Sequence, residues 1–174
     1  REVAFEFGIY ATFMAKPMQH EPGSSLHIHQ SVTDSGSGEN IFASDDGQPS
    51  RLFQHYMGGL QRYLPSAIAY LAPNVNSYRR LAPGKLAAPI NTEWGYDNRT
   101  VGLRAPHSSP EATRIESRIA GADANPYLAM ATNLVCGYLG MMEQIEPRPP
   151  LQSVGYKAGQ NLPSDLDRAL DALE

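Results

Sequence analysis

Two stretches of this sequence have the residue types and spacing to do chemistry: His27 and His29, one residue apart in GSSLHIHQSV (23–32), and the charged alternation Arg114, Glu116, Arg118 in RIESR. In an extended chain successive side chains point to opposite faces. Ser25, His27, His29 and Ser31 then share a wet face, while Leu26, Ile28 and Val32 share a dry one. Imidazole and hydroxyl groups in such a row can hold a metal, a phosphate or water, but two ligands do not complete a metal site. An isolated pair of this kind equally describes a half-exposed strand. The same parity sets Arg114, Glu116 and Arg118 against Ile115 and Ile119. If the two wet faces meet, His27 and Glu116 offer nitrogen and oxygen to a divalent cation. The arginines, with Arg80 and Arg99, then offer forks for phosphate or carboxylate. If they do not meet, the charges are a solvated strand face. The sequence contains neither a GxxxxGK loop nor a GxGxxG turn, so any nucleotide must be held by arginines and metal instead of a glycine-rich helix start.

The elements that would have to position these groups can be read along the chain. The 174 residues, 41% hydrophobic and 18% charged, have an ordinary globular composition. A formal net charge of -4 gives no reason to expect nucleic acid or an anionic membrane as a partner. No apolar run is long enough for a membrane helix, and the opening residues do not read as the basic-then-apolar pattern of a signal peptide. The single Cys136, among apolar neighbours, reads as a buried inert thiol and is compatible with a reducing, cytoplasmic setting.

The first third alternates as strands would, in VAFEF, YATFM, SLHIHQSV and NIFA, with a Gly-rich hairpin at 34–39. Ser50 can cap a helix over about 51–63, whose stripe of Leu52, Phe53, Tyr56, Met57, Leu60, Tyr63 and Leu64 predicts core, and a short helix runs on to Leu71. Residues 72–89 read as a loop, and RTVGLRA and ATRIESRIA as two strands joined by the turn PHSSPE. Asn125 and Pro126 open a long apolar helix to about 145. A Pro- and Gly-rich linker or surface loop follows, then a last helix capped by Ser164. The fold class expected is α+β, an antiparallel sheet flanked by helices. Both ends break off within a pattern, so the chain reads as a fragment.

Five ordered motifs, ATFMAKPM, GSSLHIHQSV, NSYRRLAPG, NRTVGLRAP and SPEATRIESRIAGADANPYLA, make most of the first 140 residues resemble the catalytic domain of the glutamine synthetase family. The resemblance implies an ATP-dependent ligase that phosphorylates the γ-carboxyl of glutamate and lets an amine displace the phosphate, with Mg2+ or Mn2+ at the phosphates. Carried over position by position, it implies His27 and Glu116 as metal ligands and His29 and Ser31 as nucleotide-lining residues. It implies Gly23, Arg80 and Arg118 as glutamate-binding, and Arg99, Arg104 and Arg114 as holding nucleotide or its phosphates, Arg99 being the catalytic one. Strand parity would place Arg99 and Arg104 on opposite faces, so Arg99 must lie in the loop before the strand if both serve one site.

There are also departures from the family pattern. Pro22 stands where glutamine-forming members carry an asparagine next to the glycine, and PGKLAAP (83–89) lacks their glutamate, with Lys85, Leu86 and Ala87 in its place. Both resemble the branch that joins glutamate to organic amines, such as the γ-glutamylpolyamine synthetases. Glu93 or Asp97 is the alternative source of an acid for ammonium. The resemblance further implies a homo-oligomeric ring, with the remaining metal ligands and a β-grasp domain upstream, so this stretch alone would be inactive. The competing reading is a non-catalytic homologue with a structural, binding or regulatory role. Retention of His27, Arg99, Glu116 and Arg118 together favours the enzyme.

Overall fold

A computed structural model describes residues 1–44, 46–84, 88–159 and 161–174. Its elements are α1 (Glu2–Glu6), β1 (Ile28–Gln30), α2 (Arg51–Tyr63), α3 (Ile68–Leu71), α4 (Val75–Arg80), β2 (Trp94–Tyr96), β3 (Leu103–Ala105), β4 (Ile115–Ser117), α5 (Pro126–Met142) and α6 (Leu166–Asp171). The four strands form one sheet in the order β1-β4-β3-β2. The fold is α+β, as the sequence indicates.

The sheet is mixed, however. β1 and β3 both run antiparallel to β4, whereas β2 lies parallel to β3. Parallel neighbours usually need a crossover of a dozen or more residues. Here the strands are three residues long, so six residues suffice to turn back along them. The connection, residues 97–102, begins at Asp97 with φ 44°, a left-handed conformation that Asp tolerates better than most residues.

The dry face of the sheet packs on α2, and α5 packs on α2 in turn. Ser50 caps α2 by accepting from the Phe53 N–H at 3.2 Å, and Asn125 caps α5 by accepting from Tyr127 N–H at 3.0 Å. The α2 stripe is buried at Phe53, Tyr56, Met57, Leu60 and Leu64, while Leu52, at its edge, is exposed. Phe42, Phe53, Tyr56 and Trp94 form a chain of edge-to-face rings beneath the strands. The two helices approach through glycine: a Cβ on Gly59 would lie 2.6 Å from the Gly140 Cα. Cys136 is buried between them.

Four expectations need correction. VAFEF is helical as α1, because its N–H groups find carbonyls locally, Phe5 N–H donating to Arg1 O at 3.0 Å; period-two alternation makes a strand only where a neighbour supplies the ladder. Among the described residues YATFM and NIFA form no ladder strand, although the hairpin at 34–39 is present, closed by Asp34 N–H to Glu39 O at 2.9 Å. The segment expected as a loop after Pro73 contains α4. Its signal was Asn74 with Ser77 three residues on, whose Oγ accepts from the Asn74 N–H at 3.2 Å. The last helix is capped one residue later than expected, by Asp165, which accepts from Arg168 N–H at 2.9 Å. The Pro- and Gly-rich segment after α5 is strapped down, with Leu151 N–H donating to Trp94 O at 2.7 Å along the edge of β2. Among the described residues no helix is long and apolar enough to cross a membrane.

Candidate functional site

Register decides what strand parity left open. His29 pairs with Glu116, and Glu116 pairs with Arg104 on its other side. Directly opposed residues share a face, so these three form one row across the sheet. His27, Arg114 and Arg118, each two residues along, join them on the same face. The two wet faces meet.

Glu116 is the centre of this cluster and is 3% exposed. Its Oε1 lies 2.9 Å from His27 Nδ1 and accepts from Arg118 Nη1 at 2.8 Å, while Oε2 accepts from Arg104 Nη1 at 2.9 Å. His29 Nε2 is 4.0 Å away, and its Nδ1 accepts from Arg114 Nε at 3.3 Å. Burial pushes the Glu116 carboxyl up, but the Arg104 hydrogen bond and the charges of Arg118 and His27 together outweigh it and hold the group below the usual carboxylate range. Burial, reinforced by Arg118, lowers His27. At neutral pH the cluster therefore holds an ionised carboxylate beside a neutral imidazole. Donation from Nδ1 to Glu116 leaves the lone pair on Nε2, which lies 3.0 Å from Ser25 Oγ.

A second group adjoins the first. Arg80, at the end of α4, is 3% exposed, and its Nη2 donates to the carbonyl of Ile119, the residue after Arg118. Burial drives its guanidinium down to about 10, opposed by Asp123. Asp123 also accepts from Ser77 Oγ at 2.8 Å and from Asn74 Nδ2 at 3.1 Å, which docks the start of α4. Gly23 lies against Arg80: a Cβ there would be 2.8 Å from the Arg80 Cγ. Arg99 sits in the 97–102 connection, ahead of the strand expected to begin with it, with its side chain exposed and its carbonyl accepting from Arg118 Nη2 at 3.2 Å. Asn98 fastens that connection, donating to Leu151 O at 3.1 Å and Ser153 O at 3.0 Å and accepting from Thr100 Oγ1 at 2.6 Å. Ser31 is exposed just past β1.

Among the described residues, the buried Nε atoms of Arg80, Arg104 and Arg118 find no hydrogen-bond partner. Three such donors around one sheet face suit an anionic ligand. The His27–Glu116 donor set suits a divalent cation such as Mg2+ or Mn2+. Among the described residues no group of three or more His, Cys, Asp or Glu is arranged to hold a metal. The two acids considered for ammonium are both engaged by arginine: Asp97 Oδ1 with Arg104 Nη2 at 2.6 Å, and Glu93 Oε1 with Arg148 Nη2 at 3.0 Å. Lys85, Leu86 and Ala87 lie outside the described residues. Sequence reading missed α4 and the Asn98 fastening, and it gave Asp97 no partner.

This sheet face, with its buried carboxylate, paired histidines and converging arginines, carries the motifs quoted above, and comparison with known proteins defines its class. The chain matches the glutamine synthetase catalytic domain over residues 1–174 and belongs to the glutamine synthetase family. It is 43% identical over 152 residues to gamma-glutamylputrescine synthetase of Escherichia coli K12, covering 87% of this chain and 31% of that protein. It is 39% identical over 173 residues to glutamate–isopropylamine ligase of a Pseudomonas species, covering 98% and 37%. Against glutamine synthetase of Streptomyces filamentosus it is 37% identical over 185 aligned positions, covering 100% and 39%. The chain thus spans between 31% and 39% of the length of these relatives.

Proposed function

We infer that this chain is the glutamate- and nucleotide-binding part of a longer ATP-dependent ligase that joins the γ-carboxyl of glutamate to an organic amine. The observation that carries the reading is the row His29–Glu116–Arg104 with His27, Arg114 and Arg118 on the same face. In the reaction the γ-carboxylate attacks the terminal phosphorus of ATP, giving γ-glutamyl phosphate and ADP, and the amine then displaces phosphate. Such chemistry needs positioning and charge neutralisation more than covalent help.

His27 and Glu116 would hold a divalent cation, whose contribution when bound is to neutralise phosphate charge. A hard cation takes about six ligands, so the rest come from outside these two residues. Arg99, Arg104 and Arg114, with His29 and Ser31, hold the nucleotide, Arg99 being the exposed cation free to meet the transferring phosphoryl group. Gly23, Arg80 and Arg118 orient glutamate. Family membership supports a homo-oligomeric ring for the complete protein.

For the amine, the support is the pairing of Glu93 and Asp97 with arginines, the residues Pro22 and Leu86, and the similarity to two relatives named for organic amines. Similarity to glutamine synthetases keeps ammonia as the second reading. An ammonium ion needs anionic oxygen to recover its hydration, whereas an alkylamine gains about 0.8 kcal/mol per buried methylene. The test is a kcat/KM series for the complete protein with ATP, glutamate, and ammonia, isopropylamine or putrescine. A primary alkylamine or polyamine should exceed ammonia, and Leu86→Glu should narrow the gap. Equal or better use of ammonia by the unmutated enzyme returns the protein to glutamine synthesis.

A further inference from the structure

Arg104 is held from two sides. Nη1 donates to Glu116 Oε2 at 2.9 Å, and Nη2 donates to Asp97 Oδ1 at 2.6 Å. Glu116 already receives Arg118 on its other oxygen at 2.8 Å. Without Asp97, one carboxylate would face two guanidinium groups, leaving a net positive charge where a cation must bind. With Asp97 the connected set of Asp97, Arg104, Glu116 and Arg118 is neutral.

Geometry adds to charge. A guanidinium prefers to grip a carboxylate with two parallel hydrogen bonds. Engaged end-on by Asp97, Arg104 gives Glu116 one. Asp97 is itself well fixed. It occupies the left-handed turn at the end of β2, and its N–H donates to Ala105 O at 3.0 Å. Next to it, the Tyr96 ring stacks on His107 with centroids 5.6 Å apart, and Asn98 is fastened to residues 151 and 153.

The geometry points to Asp97 as a positioning residue: it draws Arg104 away from a two-bond grip on Glu116 and offsets its charge, so that Glu116 stays able to ligate a divalent cation. This rests on the reading of His27 and Glu116 as metal ligands. Loss of a partner one shell out from a metal typically weakens binding about 10- to 100-fold. Asp97 touches Arg104 and not Glu116 itself, so its effect belongs at or just below the low end of that range.

The test is Mn2+ binding to the complete protein, followed by the electron paramagnetic resonance signal of free Mn2+. Asp97→Asn keeps the shape, the left-handed turn and an acceptor, and removes only the charge; Asp97→Ala removes both charge and acceptor. Asp97→Asn should weaken Mn2+ about fivefold and Asp97→Ala about tenfold, with the metal concentration for half-maximal rate rising in parallel and kcat at saturating metal changing less. Asp97→Glu, which restores the charge, should recover most of the affinity. A Kd within twofold of wild type in both Asp97→Asn and Asp97→Ala, whatever their melting temperatures, overturns the proposal, provided that Glu116→Gln abolishes binding. If Glu116→Gln binds Mn2+ like the wild type, the metal reading fails and the role of Asp97 fails with it.

Discussion

Two residues show how burial decides side-chain behaviour in this domain. Glu116 is buried against two arginines whose side chains are 15% and 10% exposed. Removing one member of such a set strands the others, at about 3 kcal/mol or more. Glu116→Ala should therefore lower the unfolding free energy by about 3 kcal/mol in urea titration, and a loss under 1 kcal/mol would mean that solvent already screens the cluster. Cys136 is the opposite case, a neutral group kept neutral. Burial raises its thiol from 9.0 to about 11. Between these values the unfolded chain gives up the proton and the folded chain keeps it, so the folded state binds more protons and stability falls as pH rises. Below pH 9 this contribution is fully present. Urea midpoints should drop from pH 9 to 10, Cys136→Ala should flatten that drop, and the native thiol should resist alkylation at pH 8. Rapid alkylation of the folded protein would place Cys136 at the surface.

At the scale of elements, the site depends on helices that touch none of its chemistry. α2 and α5 press together at Gly59 and Gly140, and α2 supplies Tyr56, whose hydroxyl donates to Gln30 Oε1 at 2.7 Å on the dry side of β1. A methyl group at residue 59 has to push α5 away, since what it meets is backbone, which cannot rotate aside. Gly59→Ala should cost about 2 kcal/mol, within the usual range for overpacking, measured as a shift in urea midpoint with unchanged slope. An equally stable variant would show that the helices slide apart freely. Element type was legible in α2 and α5 because a long apolar stripe and an N-cap agree with each other. It was not legible in residues 2–14, where the apolar alternation of a strand meets no partner strand, nor in α4, whose six residues are too few for periodicity to register.

For the whole molecule, the exposed apolar surface is the outstanding feature. Phe5, Phe7 and Tyr10 near one end are 82%, 77% and 88% exposed, and α5 turns Tyr127, Leu134, Tyr138 and Met142 to solvent. Exposed large apolar side chains in such number favour association. The isolated 174-residue chain should bind a hydrophobic dye and self-associate with rising concentration in light scattering, and should melt below the complete protein. A monodisperse monomer with a sharp cooperative melt would show that this surface is tolerated in water.

The sequence by itself determined the α+β class, the two long helices with their caps and the family, because periodicity and ordered motifs are local properties of the chain. Parity joined to the family resemblance also put Arg99 in a loop, on the condition that it and Arg104 serve one site. Only the tertiary structure decided that the histidine face and the arginine face are the same face, since parity fixes sidedness within a strand and register fixes it between strands. Only the fold paired Asp97 with Arg104 and Glu93 with Arg148, across 7 and 55 residues. The parallel placement of β2 had the same origin: a six-residue connection is ordinarily a hairpin, and the left-handed turn at Asp97 sent the chain back alongside itself.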